Sequence, residues 1–597
     1  AFAPTPYENA ENNTAANLYQ ETWALNNSFI WTNTLKYSNE WGNNNLTVLG
    51  GEEYIYENGK ANQTTRGSYY ITDSSNLTVD PNLWTLNFGA PSTQTNNSNI
   101  LQPNYNNYAT PYRVAIYSFF GRLDYNWNGK YLISGTIRRD GSSVFAPAQR
   151  YGNFPSVSGG WRISQENFMK NIDWINDLKI RGGWGKSGSL SDINPTNPYT
   201  LYGQQINQSY YDINGTSTTP VGGVYTSQYG NPNTTWEKDI LTNVGIDATL
   251  FHNKIDLSVE WYKKQVDGLL FQPVEPGTTG APAIPFGNSG DVQNRGIDAS
   301  VTYHGSAVNN TLKFDITGTF TSYQNKVVSL PAGTLYFNEP TGAQTITSRI
   351  QPGHPLGEFY GYKVTGLFQN WSDVYKSPAQ SDAAPGRFKY ADVNHDGQIT
   401  SDDQTFFGNP NPKFTAGLNI SVAYKNWDLY TFFYTSIGAK ILNNVKSSTD
   451  FPQTFGNQVS KQIALHSATL VNAAGAPTNF MDSTAHVANP AATSPLLEQS
   501  ANFSNTAVFN SYIMESGSFL RCRNLTIGYN ITSDGIKNLH IDRIRVYAQA
   551  LNLFTITNYS GLDPELNPGT NASFGIDGGV YPNNQKQYNL GVSMTIH

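Results

Sequence analysis

The sequence predicts an all-β fold, an antiparallel transmembrane β-barrel with long extracellular loops. Three observations predict it. Apolar and polar residues alternate residue by residue along many segments, which places them on opposite faces of strands. The connections between those segments are very short at one end and long at the other. The composition is aromatic yet weakly charged: 13% of 597 residues are Phe, Trp or Tyr and 14% are charged, with 53 Gly and 37 Tyr.

The alternation is clearest at the C-terminus, where Tyr588, Leu590, Val592, Met594 and Ile596 fall on one face and Asn589, Gly591, Ser593, Thr595 and His597 on the other. Val244, Ile246, Ala248 and Leu250 oppose Asn243, Gly245, Asp247 and Thr249. Ile255, Leu257, Val259 and Trp261 oppose Asp256, Ser258 and Glu260. The same pattern sets Leu312, Phe314, Ile316 and Phe320 against Lys313, Asp315, Thr317 and Thr319. It recurs with Phe414, Ala416, Leu418, Ile420 and Val422 against Thr415, Gly417, Asn419 and Ser421. The charges on the polar faces suit a wet lumen better than a dry sandwich core. Leu257, Val259, Trp261 and Ile596 are therefore expected to face lipid, and Asp256, Ser258 and Glu260 the lumen.

Tight turns are expected at Asn128-Gly129, His252-Asn253 and Lys425-Asn426; Asn-Gly tolerates the positive φ of a two-residue hairpin. Long connections are expected at 190–235, 325–358, 370–412, 437–510 and 556–586. Short turns on one side and long loops on the other are the asymmetry of outer-membrane barrels. Trp127, Tyr131, Trp261, Tyr262, Tyr424 and Trp427 are candidates for interfacial girdles. Helical periodicity is scarce; 165–176 reads as a short helical turn. The count is about sixteen strands, beginning with Ser28–Trp41 and Asn45–Glu57.

Other classes fit less well. The net charge of −7 argues against a nucleic-acid partner. With Cys522 as the single cysteine, no intrachain disulfide can form, and its place in an alternating segment suits a small packing residue. No run approaches the ~18 apolar residues of a transmembrane helix, but barrel strands need only ~10 residues with one apolar face. The chain opens Ala1-Phe2-Ala3-Pro4, so an export signal is expected to have been removed or to lie upstream.

Phe120-Gly-Arg-Leu-Asp-Tyr-Asn126, Lys130-Tyr-Leu-Ile-Ser-Gly-Thr-Ile-Arg-Arg-Asp-Gly-Ser-Ser143 and Arg150-Tyr-Gly-Asn-Phe-Pro-Ser-Val-Ser-Gly-Gly-Trp-Arg-Ile163 resemble consecutive strands of SusC-like TonB-dependent outer-membrane transporters. So do Trp236-Glu237-Lys238, Asn294-Arg-Gly-Ile-Asp298, Gly408-Asn-Pro-Asn-Pro-Lys-Phe414, Ser518-Phe-Leu-Arg-Cys-Arg-Asn-Leu-Thr-Ile-Gly-Tyr529 and Asn552-Leu-Phe-Thr-Ile-Thr-Asn-Tyr-Ser-Gly-Leu-Asp-Pro-Glu565. These matches run in family order from about residue 28 to the end. The resemblance implies a barrel of about 22 strands plugged by an N-terminal domain. It implies a SusD-like surface lipoprotein as lid, energy from the TonB-ExbB-ExbD complex, and a glycan or peptide as cargo. The sequence departs from the pattern at its start, with no TonB box, plug or first barrel strands, so 1–597 is expected to be the C-terminal part of the barrel, short of roughly six strands. The strand Tyr588–His597 should then have one edge unpaired, and the strand near Ser28 should lack its predecessor. Ile596 stands where the family commonly has an aromatic; His597 is native or the start of a tag.

One motif carries chemistry by itself. Asp392, Asn394 and Asp396 have the D-x-N-x-D-G spacing of a calcium loop, Gly397 permits its sharp turn, and Gln398 would offer its backbone carbonyl. Ile399 would anchor the loop, and Asp403 takes the last position, where an EF-hand has Glu. Residues 392–403 are thus a candidate structural Ca2+ loop within an extracellular connection; a solvated Asx-rich turn is the alternative. Trp184-Gly-Lys186-Ser187 is a poor phosphate loop, with Ile180 where the first glycine belongs and no helix following. Asn45-Leu-Thr47 and similar triplets reflect an Asn-rich chain. The 8 His residues include no HExxH and no acid–base pair is evident, so no enzyme is expected. Tyr210-Tyr211 and the run Tyr225 to Tyr229 would stack on sugars or pack among themselves. Energised import is the leading reading; a passive porin and a secreted glycan-binding β-protein are the alternatives.

Overall fold

The structure, a computed structural model, describes residues 18–67, 90–91, 108–190, 193–203, 223–272, 283–331, 333–341, 344–452, 459–505, 507–533, 535, 540–566, 574–579 and 584–596. His597 and the pair Tyr210-Tyr211 lie outside them.

A 16-stranded antiparallel sheet is the body of the molecule. Its path is a meander in which each strand pairs with its neighbours in sequence. The strands are β1 (Leu18–Trp41), β2 (Asn44–Gly67), β3 (Tyr108–Trp127), β4 (Tyr131–Ser142), β5 (Tyr151–Arg162), β6 (Ile175–Ser189), β7 (Glu237–Leu250), β8 (Ile255–Asp267), β9 (Asp291–Ala307), β10 (Leu312–Ser329), β11 (Phe414–Tyr424), β12 (Trp427–Ile437), β13 (Phe519–Ile531), β14 (Ile541–Thr557) and β15 (Gln587–Ile596). The short strand Ala90–Pro91 adds to the end of β2. The first two strands are longer than their alternation predicts. The polar stretch Asn58–Gly67 pairs residue for residue with Leu18–Asn27, so backbone hydrogen bonds carry both strands past the amphipathic segment.

Register decides the faces. Asp256, Ser258 and Glu260 stand opposite Thr249, Asp247 and Gly245 of β7 and Thr302, Ser300 and Asp298 of β9. The polar row continues through Thr321, Thr319, Thr317 and Asp315 of β10 to Thr415, Gly417, Asn419 and Ser421 of β11. On the other face Leu257, Val259 and Trp261 oppose Ala248, Ile246 and Val244, and Val301, Ala299 and Ile297. Val259, Trp261, Ile246, Val301 and Ile596 are exposed, as a lipid-facing surface requires.

The turns 42–43, 128–130, 251–254, 308–311 and 425–426 are short and lie at one rim. Asn128 and Gly129 have φ of 54° and 68°, both left-handed, which the predicted tight hairpin needs. The connection from Ile163 to Trp174 at this rim is longer and contains the 3-10 turns Ile163–Gln165 and Asn167–Met169. Long connections leave the opposite rim. The expected loops 325–358 and 370–412 are one connection, 330–413, because Phe359–Tyr362 pairs with Gln404–Gly408 and does not enter the barrel wall. Two further connections, 68–107 and 268–290, join the long set.

Aromatic rings gather at the short-turn rim. Tyr131 stacks between Trp127 and Trp161 at 5.4 and 6.4 Å, and Trp427 packs on Tyr529 at 4.9 Å. The Tyr131 hydroxyl and the Trp161 indole N–H donate to Glu166 at 2.7 and 3.2 Å, so these rings keep their polar ends wet while facing lipid. Tyr262 departs from the girdle expectation. It stands opposite Asn243 and Gly296, on the inner face.

Among the described residues β15 has β14 as its long-strand partner and β1 has β2, so these two edges are not paired with each other. That is the edge pattern expected from the sequence.

Candidate functional site

The inner wall is a charged surface built from alternate residues of neighbouring strands. Arg181 of β6 reaches Asp247 of β7 at 3.0 Å and pairs with Glu260 of β8. Lys179 reaches the same Asp247 at 3.0 Å, and Ser258 donates to it at 2.8 Å. His304 of β9 bridges Asp315 and Asp256 at 2.6 and 3.0 Å. Where Gly160 and Gly183 leave the wall bare, a cavity of about 420 Å³ opens beside Asp124, Ser134, Lys179 and Arg181. This chemistry hydrates the interior and offers hydrogen bonds of both signs.

The two longest connections fold together as a cap. Tyr362, Leu367, Phe388, Tyr390 and Ile399 from 330–413 share one buried cluster with Phe451, Ala468, Leu470 and Val487 from 438–518. Backbone bonds cross the same seam, from Tyr362 N to Phe509 O at 3.1 Å and from Phe388 N to Ser504 O at 2.9 Å. Arg387 and Glu498 pair across it. Burial pushes the Tyr390 phenol well above its ordinary range; its hydroxyl donates to Phe503 O at 2.9 Å. A core of this kind gives the loops a fixed shape, unlike solvated hairpin tips.

A third connection, 558–586, is tied to the inner wall by buried charge. Arg521 of β13 is 1% exposed and donates to Asp563 at 2.5 Å, Glu565 at 2.8 Å and the Thr555 hydroxyl at 2.9 Å. Arg523 pairs with Glu565 as well. Arg521 and Arg523, alternate residues of β13, both reach Glu565, and the register of the strand shifts in a bulge between Cys522 and Asn524. Cys522 is buried on the opposite face, between Phe433 and Phe554, as a packing residue. These arginines and acids stand in the family-like motifs of the sequence, but nothing in their spacing announces the clamp beyond the adjacency of Asp563 and Glu565 around Pro564.

The candidate calcium residues lie in the cap between the short strands Phe388–Tyr390 and Gln404–Gly408. Ile399 is buried in the cap core, as an anchoring residue would be. Gly397 has φ of 83° and His395 of 62°, the sharp turn the motif implies. Asp396 N donates to Asn394 Oδ1 at 3.0 Å, Gln398 N to Asp396 Oδ1 at 2.8 Å, and Gly397 N to Asp392 Oδ2 at 3.0 Å. Asp403 is fully buried and accepts Val393 N at 2.8 Å and Thr400 N at 2.7 Å. The carboxylates are thus tied to backbone amides, and among the described residues no three His, Cys, Asp or Glu side chains converge as a metal cage. One acceptor is free: Asp392 Oδ1 is buried and has no hydrogen-bond partner.

Trp184, Lys186 and Ser187 lie inside β6, so no phosphate loop exists there. Tyr225–Gln228 pairs with Leu201–Gly203, and Tyr202 and Tyr229 present exposed rings beside it.

An up-and-down sheet with an apolar outer face, an aromatic rim, a charged inner face and long folded loops at one end defines an outer-membrane β-barrel. A family model described as TonB dependent receptor-like, beta-barrel matches residues 1–553, and the chain belongs to that family, in its SusC-like branch. It is 29% identical to TonB-dependent receptor P3 of Formosa agariphila over 94% of this chain and 52% of that protein. It is 29% identical to TonB-dependent receptor SusC of Bacteroides thetaiotaomicron, over 80% of this chain and 43% of that one. The fold is similar to the solved structure of the RagAB peptide transporter, with a TM-score of 0.75, 23% identity, and coverage of 97% of this chain and 56% of that one. The chain therefore spans about half the length of the relatives it matches. These relatives are receptors and not enzymes.

Proposed function

We propose that this chain supplies barrel wall and extracellular cap to a TonB-dependent importer that carries a glycan or peptide across the bacterial outer membrane. The observation that carries the reading is the pairing of a charged inner wall with a cap that has its own core, beside a third connection that Arg521 clamps to the wall. A passive pore needs an open path, whereas a captured cargo needs a shaped, closable mouth. Two relatives are named TonB-dependent receptors, and a solved neighbour is titled a peptide transporter, which supports energised transport. A SusD-like lipoprotein seated on the cap and the TonB-ExbB-ExbD complex acting from the periplasm are the partners that fit. Among the described residues β1 and β15 each have one long-strand neighbour, and since a strand edge in lipid needs backbone partners, further strands of the importer would supply them. The test is uptake of labelled oligosaccharide and peptide pools by cells carrying the full-length gene, with and without TonB. Uptake that stops without TonB is expected; uptake unchanged by its loss fits a porin and rejects the proposal, and a protein recovered in the soluble fraction fits a secreted binder.

The loop 392–403 is further proposed to take Ca2+. The free Asp392 Oδ1, the acid and amide spacing, and the left-handed turn at Gly397 support it. Asn394, Asp396 and the Gln398 carbonyl would complete the shell at about 2.4 Å, with Asp403 following if it leaves its amides. Bound calcium would stiffen the cap without taking part in transport chemistry. Saturating Ca2+ at about 100 times Kd is expected to add roughly 2.7 kcal/mol to cap stability. Proteolysis of the cap in calcium and in EGTA measures this. Equal cleavage rates, or an Asp392→Ala variant that still shows calcium protection, would remove the site.

A further inference from the structure

Between the cap and the 558–586 connection lies a cavity of about 890 Å³. Its size is that of a small-ligand pocket. Segments 443–450, 512–515, 560–562 and 577–579 line it, so it opens between loops that meet only in the folded mouth.

Its charge is one-sided. Asp450, Glu515 and Asp577 face it, with Lys446 and His466 as the facing basic side chains, and burial pushes the Asp450 carboxyl above its ordinary range. Lys446 is already shared by Glu515 at 3.5 Å and Asp450 at 4.0 Å, and its ammonium sits 4.5 Å from the Tyr512 ring. Burial disfavours a charge on Glu515, but donors from Ser560, Lys446 and Asn443 outweigh it and hold the carboxyl below the usual glutamate range. Asp577 accepts the Tyr559 hydroxyl at 2.5 Å and Gly579 N at 2.8 Å, with no cation among these partners.

A second observation points to a ligand independently. Asn443 is 2% exposed and lines this cavity. Its amide nitrogen donates to Glu515 Oε1 and Ser560 Oγ, both at 3.2 Å. Those contacts fix which end of the amide is the donor, because the opposite orientation would set oxygen against a carboxylate. Asn443 Oδ1 is consequently left as a buried acceptor with no partner. A buried polar atom without a partner is costly to keep, and a bound donor removes the cost.

We propose that this cavity is a cargo subsite for a positively charged, donor-rich group, an ammonium from either a lysine-bearing peptide or an amino sugar. The ammonium donates to Asn443 Oδ1 and is drawn by the surplus of carboxylates, with the Tyr512 ring as one wall. Uronic or acidic peptide groups meet the same carboxylates and are repelled. The proposal rests on the import reading above, and names a class of cargo for it.

The test is calorimetric titration of the full-length protein in detergent with tri-lysine, triglucosamine, tri-glutamate and trigalacturonate. Both ammonium probes are expected to bind at least about tenfold more tightly than both carboxylate probes. A preference for tri-lysine over triglucosamine, or the reverse, identifies the source of the ammonium. Asp577→Asn and Asn443→Ala are each expected to weaken the ammonium probes about tenfold, with the barrel still heat-modifiable on a gel. Equal affinity for all four probes, or no saturable binding, overturns the subsite; so do folded variants that bind like wild type. TonB-independent uptake combined with ammonium-selective binding would instead remove the import reading and leave the subsite standing.

Discussion

Arg521→Met is expected to free the 558–586 connection from the barrel wall and to cost about 3–5 kcal/mol. The guanidinium is fully buried and serves Asp563, Glu565 and Thr555 together. Methionine restores the volume but leaves Asp563 as a buried carboxylate without its cation, and an unpaired buried charge is far costlier than a missing surface ion pair. Arg523 still serves Glu565, so the loss concentrates on Asp563. Arg521→Lys keeps the charge and cannot span three acceptors, so it is expected to fall between the two. Protease cleavage within 558–586, followed on the folded barrel, reads the effect directly. A cleavage rate for Arg521→Met equal to wild type would show that the clamp does not hold the loop.

The second large effect separates the two faces of one strand. Val301→Arg is expected to cost about 2–4 kcal/mol in barrel assembly, whereas Ser300→Arg is expected to be nearly silent. Val301 stands opposite Leu257 and Gly318 on the outer face, at mid-strand. Ser300 stands opposite Ser258 and Thr319 on the inner face, where water and the neighbouring carboxylates accept a cation. The heat-modifiable fraction after refolding into bilayers measures both. A larger loss for Ser300→Arg would reverse the assignment of faces.

The barrel wall was legible because its physics is local. A strand with lipid on one side and water on the other must alternate, so Ile255–Trp261 and Phe414–Val422 declare both their conformation and their faces. The Asn128-Gly129 turn was legible for a similar reason: few residue pairs accept two left-handed φ values in succession. Strand length was not. Asn58–Gly67 has no apolar face, and only pairing to β1 makes it a strand. Phe359–Tyr362 was obscure in the opposite sense, since all of it is buried and a strand buried on both faces does not alternate.

The candidate site was legible only where one short segment carries it. The spacing from Asp392 to Asp403 can be read directly, and the structure places Ile399 and Gly397 as that spacing suggests, but the ion itself is a proposal. The clamp at Arg521 joins residues 42 to 44 positions apart across a bulge. Neither the bulge nor the separation has a sequence period. The partnerless oxygen of Asn443 is less visible still, because an asparagine among many reveals its hydrogen bonds only when its neighbours are in place.

A cysteine scan along β8 asks whether this sheet divides lipid from an aqueous lumen. Cys522 is the single cysteine of these 597 residues and is buried, and any cysteine elsewhere in the full-length protein is first replaced by serine. Single cysteines are placed at residues 256 to 261 of the full-length protein in bilayers and challenged with a charged, water-soluble maleimide and a lipid-soluble one. Strict alternation is expected: positions 256, 258 and 260 react with the charged reagent, and 257, 259 and 261 with the lipid-soluble one alone. Uniform labelling of all six positions by the charged reagent, or labelling of the odd-numbered set by it, would contradict the barrel and the importer reading built on it.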